Sequence, residues 1–213
     1  MPVPHLAPAS RLTFHGDSLT AAGRRPAVPQ DLGHGYVGLV AEALGGIHPG
    51  LRVANRGVSG YRVRDLRAAW QADVLADPPD VLSVLVGVND TWRRYDRNDP
   101  TPVADYARDY RHLLDTAAAA GARLVLVEPF LVPVTGEQWT WREDLDGRIQ
   151  AVRRLAEEYG ALLLAADGLL NQAARQAGDP AKLTPDGVHL EPRGHELLAA
   201  AWIDLVLPER RPR

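Results

Sequence analysis

Val81-Leu82-Ser83-Val84-Leu85-Val86 runs straight into Gly87-Val88-Asn89-Asp90. An apolar run this continuous, closed by glycine, suits a strand buried on both faces, as parallel strands under covering helices are. Working outward, four more short runs share the pattern. Residues 11–15 close on Gly16, 51–54 on Asn55-Arg56-Gly57, 123–127 on Glu128-Pro129, and 161–165 on Asp167-Gly168. Amphipathic stretches with helical spacing fall between and after them, at 36–44, 62–75, 103–120, 145–159 and 192–206. A β-α alternation of this kind predicts an α/β fold, a parallel sheet with helices on both faces. The irregular stretches are 19–32, 91–101, 129–144 and 179–191. In such a sheet ligands bind outside the carboxyl ends of the strands, so these loops mark the expected site.

Composition bounds the rest. At about 150 residues per domain, 213 residues predict a single domain, expected over 11–207, with flexible segments at 1–10 and 208–213. Hydrophobic residues at 46% and charged residues at 24% are those of a soluble globular protein. No cysteine is present, which removes disulfides, thiolate metal sites and a cysteine nucleophile. Lys182 is the only lysine. A net charge of -3 leaves no basic excess for nucleic acid. No apolar run approaches the roughly 20 residues that cross a bilayer, so no membrane partner is expected. The Pro- and Ala-rich start lacks the cationic and apolar regions of a signal peptide, which predicts a cytoplasmic protein.

Four segments carry candidate chemistry. In Phe14-His15-Gly16-Asp17-Ser18-Leu19 a strand delivers a serine at its carboxyl end; Asp and Ser are also good helix caps. G-x-S-x-G is absent, so the α/β-hydrolase nucleophile elbow is not available. In Asp186-Gly187-Val188-His189 a turn can bring the carboxylate back to the imidazole three residues on, as a histidine base requires; a solvated surface turn would read the same. Asn89 offers an amide to an oxyanion, and Gly57 a bare backbone N–H. Ser59 is a second serine in a glycine-rich turn, with no base at a matching spacing. Taken singly each segment is an ordinary turn or cap. Taken in order, at one edge of a parallel sheet, they supply a nucleophile, a base, its partner and oxyanion donors, a complete acyl-transfer set.

The ordered blocks Gly16-Asp17-Ser18-Leu19, Gly57, Gly87-Val88-Asn89-Asp90 and Asp186-Gly187-Val188-His189 resemble those of the SGNH hydrolases, or GDSL esterases, over nearly the whole chain. The resemblance implies a three-layer α/β/α sandwich around a five-stranded parallel sheet. It implies Ser18 as nucleophile, His189 as base and Asp186 as its partner, with Ser18, Gly57 and Asn89 as oxyanion donors and no cofactor. Gly87 to Tyr95, Glu128-Pro129-Phe130 and Gly35-Tyr36-Val37 resemble the acetylxylan esterase branch, which removes acetyl groups from xylo-oligosaccharides. That branch tends to carry an aromatic residue before the catalytic Asp, where this chain has Pro185.

The expected partner is therefore a small ester or acetylated sugar. Asp17, Trp92, Arg93, Trp139 and Arg142 are the candidate substrate-binding residues, with Trp141 and Arg94 beside them. The aromatic loops could equally pack against the core or join copies of the chain in a homo-oligomer. With only Phe14 and Phe130 as phenylalanines and no long apolar loop, a short acyl group is favoured over a lipid. No H-E-x-x-H or clustered carboxylate set appears, so no metal is expected. The alternatives are a lysophospholipase or thioesterase of the same family, and a non-catalytic carbohydrate-binding relative, which would lack a triad member.

Overall fold

The computed structural model describes residue 6 and residues 9–207. Five strands form one parallel sheet: β1 (Arg11–Gly16), β2 (Arg52–Asn55), β3 (Val81–Leu85), β4 (Arg123–Val127) and β5 (Leu162–Leu164). Their order is β2-β1-β3-β4-β5. The winding reverses between β1 and β3, and the crevice beyond their carboxyl ends is where such sheets bind ligands. Most of the expected ends at 1–10 and 208–213 lie outside the described residues; Leu6, within the first, is buried in the core.

Alternation along the strands builds two cores. Leu12, Phe14, Val81, Leu85, Val125 and Val127 face α2 (Tyr36–Gly45), α7 (Ala166–Ala177) and α8 (Pro192–Val206). Leu82, Val84, Leu124 and Leu126 face α3 (Val63–Trp70), α5 (Val103–Ala119) and the later turns of α6 (Arg142–Tyr159). These are the three layers. Trp202 of α8 anchors the first core: its ring lies 5.0 Å from that of Phe14, and its Nε1–H donates to Ser83 Oγ at 3.0 Å. That bond explains a serine inside the most apolar strand, because a buried indole N–H needs an acceptor.

The structure departs from the sequence reading in several places. The stretch 91–101 is not a loop. Helix α4 (Val88–Arg97) fills most of it, beginning inside the apparent turn Gly87-Val88-Asn89-Asp90. Its first turn buries Val88, Asn89, Asp90 and Thr91, a polar set that hides the usual apolar stripe. Helix α7 begins where Asp167-Gly168 reads as a turn. The segment 62–75 is α3 followed by a π-helical turn, Gln71–Leu75. The loop after β4 contains a 3-10 turn, Glu137–Trp141, and α6 starts at Arg142 rather than 145. A four-residue helix, α1 (Ser18–Ala21), follows β1 directly.

Candidate active site

β1 must end in glycine. A Cβ at Gly16 would come within 2.0 Å of the Leu85 carbonyl oxygen on the neighbouring strand. Past that point Asp17 caps α1, its Oδ1 accepting the Leu19 N–H at 3.0 Å, and Ser18 stands at the first helical position. The Ser18 Oγ lies 2.9 Å from His189 Nε2, although the two residues are 171 positions apart. His189 Nδ1 lies 2.6 Å from Asp186 Oδ2. The other carboxylate oxygen, Oδ1, accepts the backbone N–H groups of Val188 at 2.9 Å and His189 at 2.7 Å.

The electrostatics fix which atoms carry protons. Partial burial pushes the Asp186 carboxyl up, but the His189 hydrogen bond, the two amides and the imidazole's charge outweigh it and hold it below the usual carboxylate range. An ionised Asp186 can only accept, so the proton sits on His189 Nδ1 and the Nε2 lone pair faces the Ser18 hydroxyl. The loop that makes this turn is clamped from outside. Gln138 Nε2 donates to the Asp186 carbonyl at 2.6 Å, and its Oε1 accepts from Val134 N at 2.8 Å. Gly187 has φ +87, and a Cβ there would meet the Gln138 amide at 2.7 Å. Only glycine satisfies both constraints.

Asn89 comes from the start of α4. Its Nδ2 donates to the Tyr61 carbonyl at 3.1 Å, and its Oδ1 accepts from Arg93 Nη2 at 3.3 Å. One Nδ2 hydrogen is thereby spent and the amide is oriented, which leaves the second hydrogen for a ligand. Gly57 differs from expectation. Its N–H donates to Asn55 Oδ1 at 2.9 Å within its own loop, its carbonyl accepts from Arg24 Nη2 at 2.8 Å, and its Cα packs on the backbone of α1. The Gly57 amide is therefore engaged. Beyond it, the turn closed by Tyr61 N to Val58 O at 3.2 Å places Gly60 at φ +83.

The expected substrate-binding residues separate. Trp92 stands at the site, its ring 5.9 Å from His189 and 5.8 Å from Trp141. Trp141 is buried and stacks on Tyr95 at 5.2 Å. Trp139 is 64% exposed. Arg93 lies over the Trp92 ring at 5.4 Å and pairs with Asp96. Arg142 is held by Asp167 in a two-bond pair at 2.7 and 2.9 Å and by Asp146 at 2.6 Å, so its guanidinium serves the α6–α7 contact. Asp17 is fully buried and out of a substrate's reach; burial raises its carboxyl to about 7. Asp90, also buried and raised by burial to about 6, accepts the Val63 N–H at the start of α3.

Sequence reasoning missed Gln138, the Tyr61 carbonyl, and His195. His195 shares with Ser18, His34, Ser59 and His189 a cavity of about 250 Å³. Nothing in the spacing of these residues announces the contacts, which arise only when separate loops meet.

A serine, an imidazole and a carboxylate in relay at the carboxyl edge of a parallel sheet define a serine hydrolase site. The model of the GDSL-like lipase/acylhydrolase family matches residues 14–197, and the chain belongs to that family. It is a carboxylic ester hydrolase. The chain is 35% identical over 203 residues to an acetylxylan esterase of Geobacillus stearothermophilus, covering 91% of this chain and 92% of that protein. A crystal structure of Axe2, an acetylxylan esterase from the same organism, superposes with a TM-score of 0.87 at 33% identity, covering 94% of this chain and 95% of that one. LAE5, described as an alpha/beta hydrolase enzyme from the metagenome of Lake Arreo, gives 0.87 at 31%, over 94% and 96%. Among the described residues no helix is long and apolar enough to cross a membrane.

Proposed function

We infer that the chain deacetylates xylo-oligosaccharides or similar acetylated carbohydrates through an acyl-enzyme on Ser18. The observation that carries this reading is the Ser18–His189–Asp186 relay, with Oγ to Nε2 at 2.9 Å and Nδ1 to Oδ2 at 2.6 Å, in a chain related along nine-tenths of its length to an acetylxylan esterase.

Ser18 Oγ attacks the ester carbonyl while His189 Nε2 takes its proton. Asp186 holds the ring and balances the imidazolium that forms. The oxyanion is met by the Ser18 backbone N–H and the free hydrogen of Asn89 Nδ2. With the Gly57 amide engaged, the third donor is the N–H of Gly60, which has no partner among the described residues. His189 then returns its proton to the departing alcohol, and water, activated by the same imidazole, releases acetate. Trp92 against His189 supplies an aromatic wall for a sugar face or for the acetyl methyl.

The test is an acyl-length and alcohol series. Acetate release from acetylated xylo-oligosaccharides and from p-nitrophenyl acetate, with p-nitrophenyl octanoate turned over far more slowly, is the expected pattern. Preference for octanoyl or longer esters would replace this reading with a lysophospholipase or thioesterase.

A further inference from the structure

Besides His189, the reaction cavity holds two imidazoles that the acyl-transfer steps leave unused, His34 and the more buried His195. His195, on the first turn of α8, is 8% exposed and lines the same cavity as Ser18 and His189. Its Nδ1 accepts the N–H of Tyr36 at 3.2 Å. Tyr36 opens α2, and the capping residue before it, Gly35, has no side chain to satisfy that amide. Helix starts leave such N–H groups orphaned unless something caps them. Here an imidazole from another helix does so.

The bond decides the tautomer. A ring nitrogen that accepts carries no proton, so the neutral ring is protonated at Nε2. Burial first, and then the neighbouring His34 and His189, lower His195 to about 4, so the ring is neutral at neutral pH. Its position is set as well: a Cβ added to Gly35 would fall 2.9 Å from Cε1 and 3.0 Å from Nδ1 of the ring. Nε2–H makes no hydrogen bond among the described residues and is not one of the fully enclosed unpartnered atoms. It is a donor on a residue that lines the cavity holding Ser18 and His189, with the ring anchored through Nδ1.

We propose that His195 is a specificity-determining residue that selects esters whose alcohol carries free hydroxyls, its Nε2–H donating to a hydroxyl oxygen of the bound sugar. The inference rests on the carbohydrate-ester reading above and assigns one wall of the cavity to the sugar. An apolar alcohol against that wall would strip water from Nε2–H and give no acceptor in return, and sites built to hydrogen-bond a hydroxyl reject analogues that lack it.

The experiment compares His195→Phe and His195→Gln with wild type on acetylated xylobiose and on phenyl acetate. In His195→Phe the ratio of kcat/KM for the sugar ester over phenyl acetate falls about tenfold, mostly through a higher KM for the sugar ester. His195→Gln, whose amide can both accept from Tyr36 and donate to a hydroxyl, recovers most of the ratio. If both substrates lose activity in proportion, His195 is only a cap for α2 and the proposal is overturned. A second measurement needs no change at His195: in Ser18→Ala protein, added xylobiose shifts the proton and nitrogen resonances of His195 Nε2–H, and an unmoved signal overturns the proposal. Wild-type enzyme that hydrolyses phenyl acetate but not acetylated xylobiose overturns the carbohydrate reading and this inference together. An unchanged ratio in the variant overturns this inference alone.

Discussion

Two histidine–aspartate pairs lie close to Ser18, and they have opposite characters. His189 and Asp186 share a 2.6 Å contact on a loop, with the His189 side chain 47% exposed. His15 and Asp73 share a 3.3 Å contact beneath the sheet's end, with the His15 side chain wholly buried and stacked on Trp70 at 5.6 Å. His15 Nδ1 accepts the Gly16 N–H at 2.9 Å, so Nε2 holds the proton that faces Asp73. Burial lowers the pKa of His15 despite its partner, whereas the Asp186 carboxyl is held low by its hydrogen bonds despite burial. His15 is only three residues from Ser18 in sequence, but it turns to the opposite face of β1, against α3. Pairing with a carboxylate does not make a base. A lone pair aimed at the nucleophile does, and His15 has none to offer.

The comparison is broken most sharply by mutation of the reactive pair. Ser18→Ala or His189→Ala is expected to lower kcat on p-nitrophenyl acetate by on the order of 10⁴-fold or more, with the melting temperature nearly unchanged. Near-wild-type turnover in either would dismantle the assignment. Asn89→Ala is expected to cost about 10²- to 10³-fold in kcat, with a smaller change in KM. A loss confined to KM would make Asn89 a substrate binder instead. His15→Ala should act on the fold: about 2–4 kcal/mol of stability lost in urea unfolding, with kcat changed far less than in His189→Ala. A larger kinetic than thermodynamic effect would mean that the buried pair takes part in the chemistry.

The smallest effect is in pH dependence. A histidine whose folded pKa lies below its unfolded value near 6.5 contributes stability that is present above that value and lost as pH falls through it, because the unfolded chain takes up a proton that the native one refuses. Wild type should therefore lose stability as pH falls below about 6.5 more steeply than His15→Gln, by up to about 1.4 kcal/mol per pH unit. Buried Asp17 and Asp90, raised to about 7 and 6, work in the opposite sense, but both proteins carry them and the difference removes them. The lowered Asp186 carboxyl contributes in a more acid window, its stabilisation present above about pH 4 and lost below. Parallel unfolding curves for wild type and His15→Gln would show that native His15 does take up the proton.

The strands were legible because a parallel strand buried on two faces has to be apolar throughout, and 123–127 was found to the residue. The nucleophile, base and acid of the expected triad were legible as an ordered set, and the structure brings those three side chains into contact. Three helices were not legible, the four-residue α1 and two longer ones. α4 hides behind Asn89 and Asp90, whose polar groups are buried because they bond to other loops and helices, and α7 hides behind a glycine in its first turn. The engagement of the Gly57 amide was invisible for a similar reason: an asparagine two residues earlier, itself donating to the Thr20 and Leu32 carbonyls, reaches forward to take it. Side-chain bonds between loops leave no periodic mark.

The long reach between Ser18 and His189 bears on how the enzyme comes alive. The nucleophile opens the short helix that follows β1, and its base precedes α8, the helix tied to the sheet through the Trp202–Ser83 bond. A chain made only as far as residue 188 carries Ser18 but not the imidazole that takes its proton. The relay therefore couples reactivity to completion of the fold, because its two reacting side chains stand 171 positions apart.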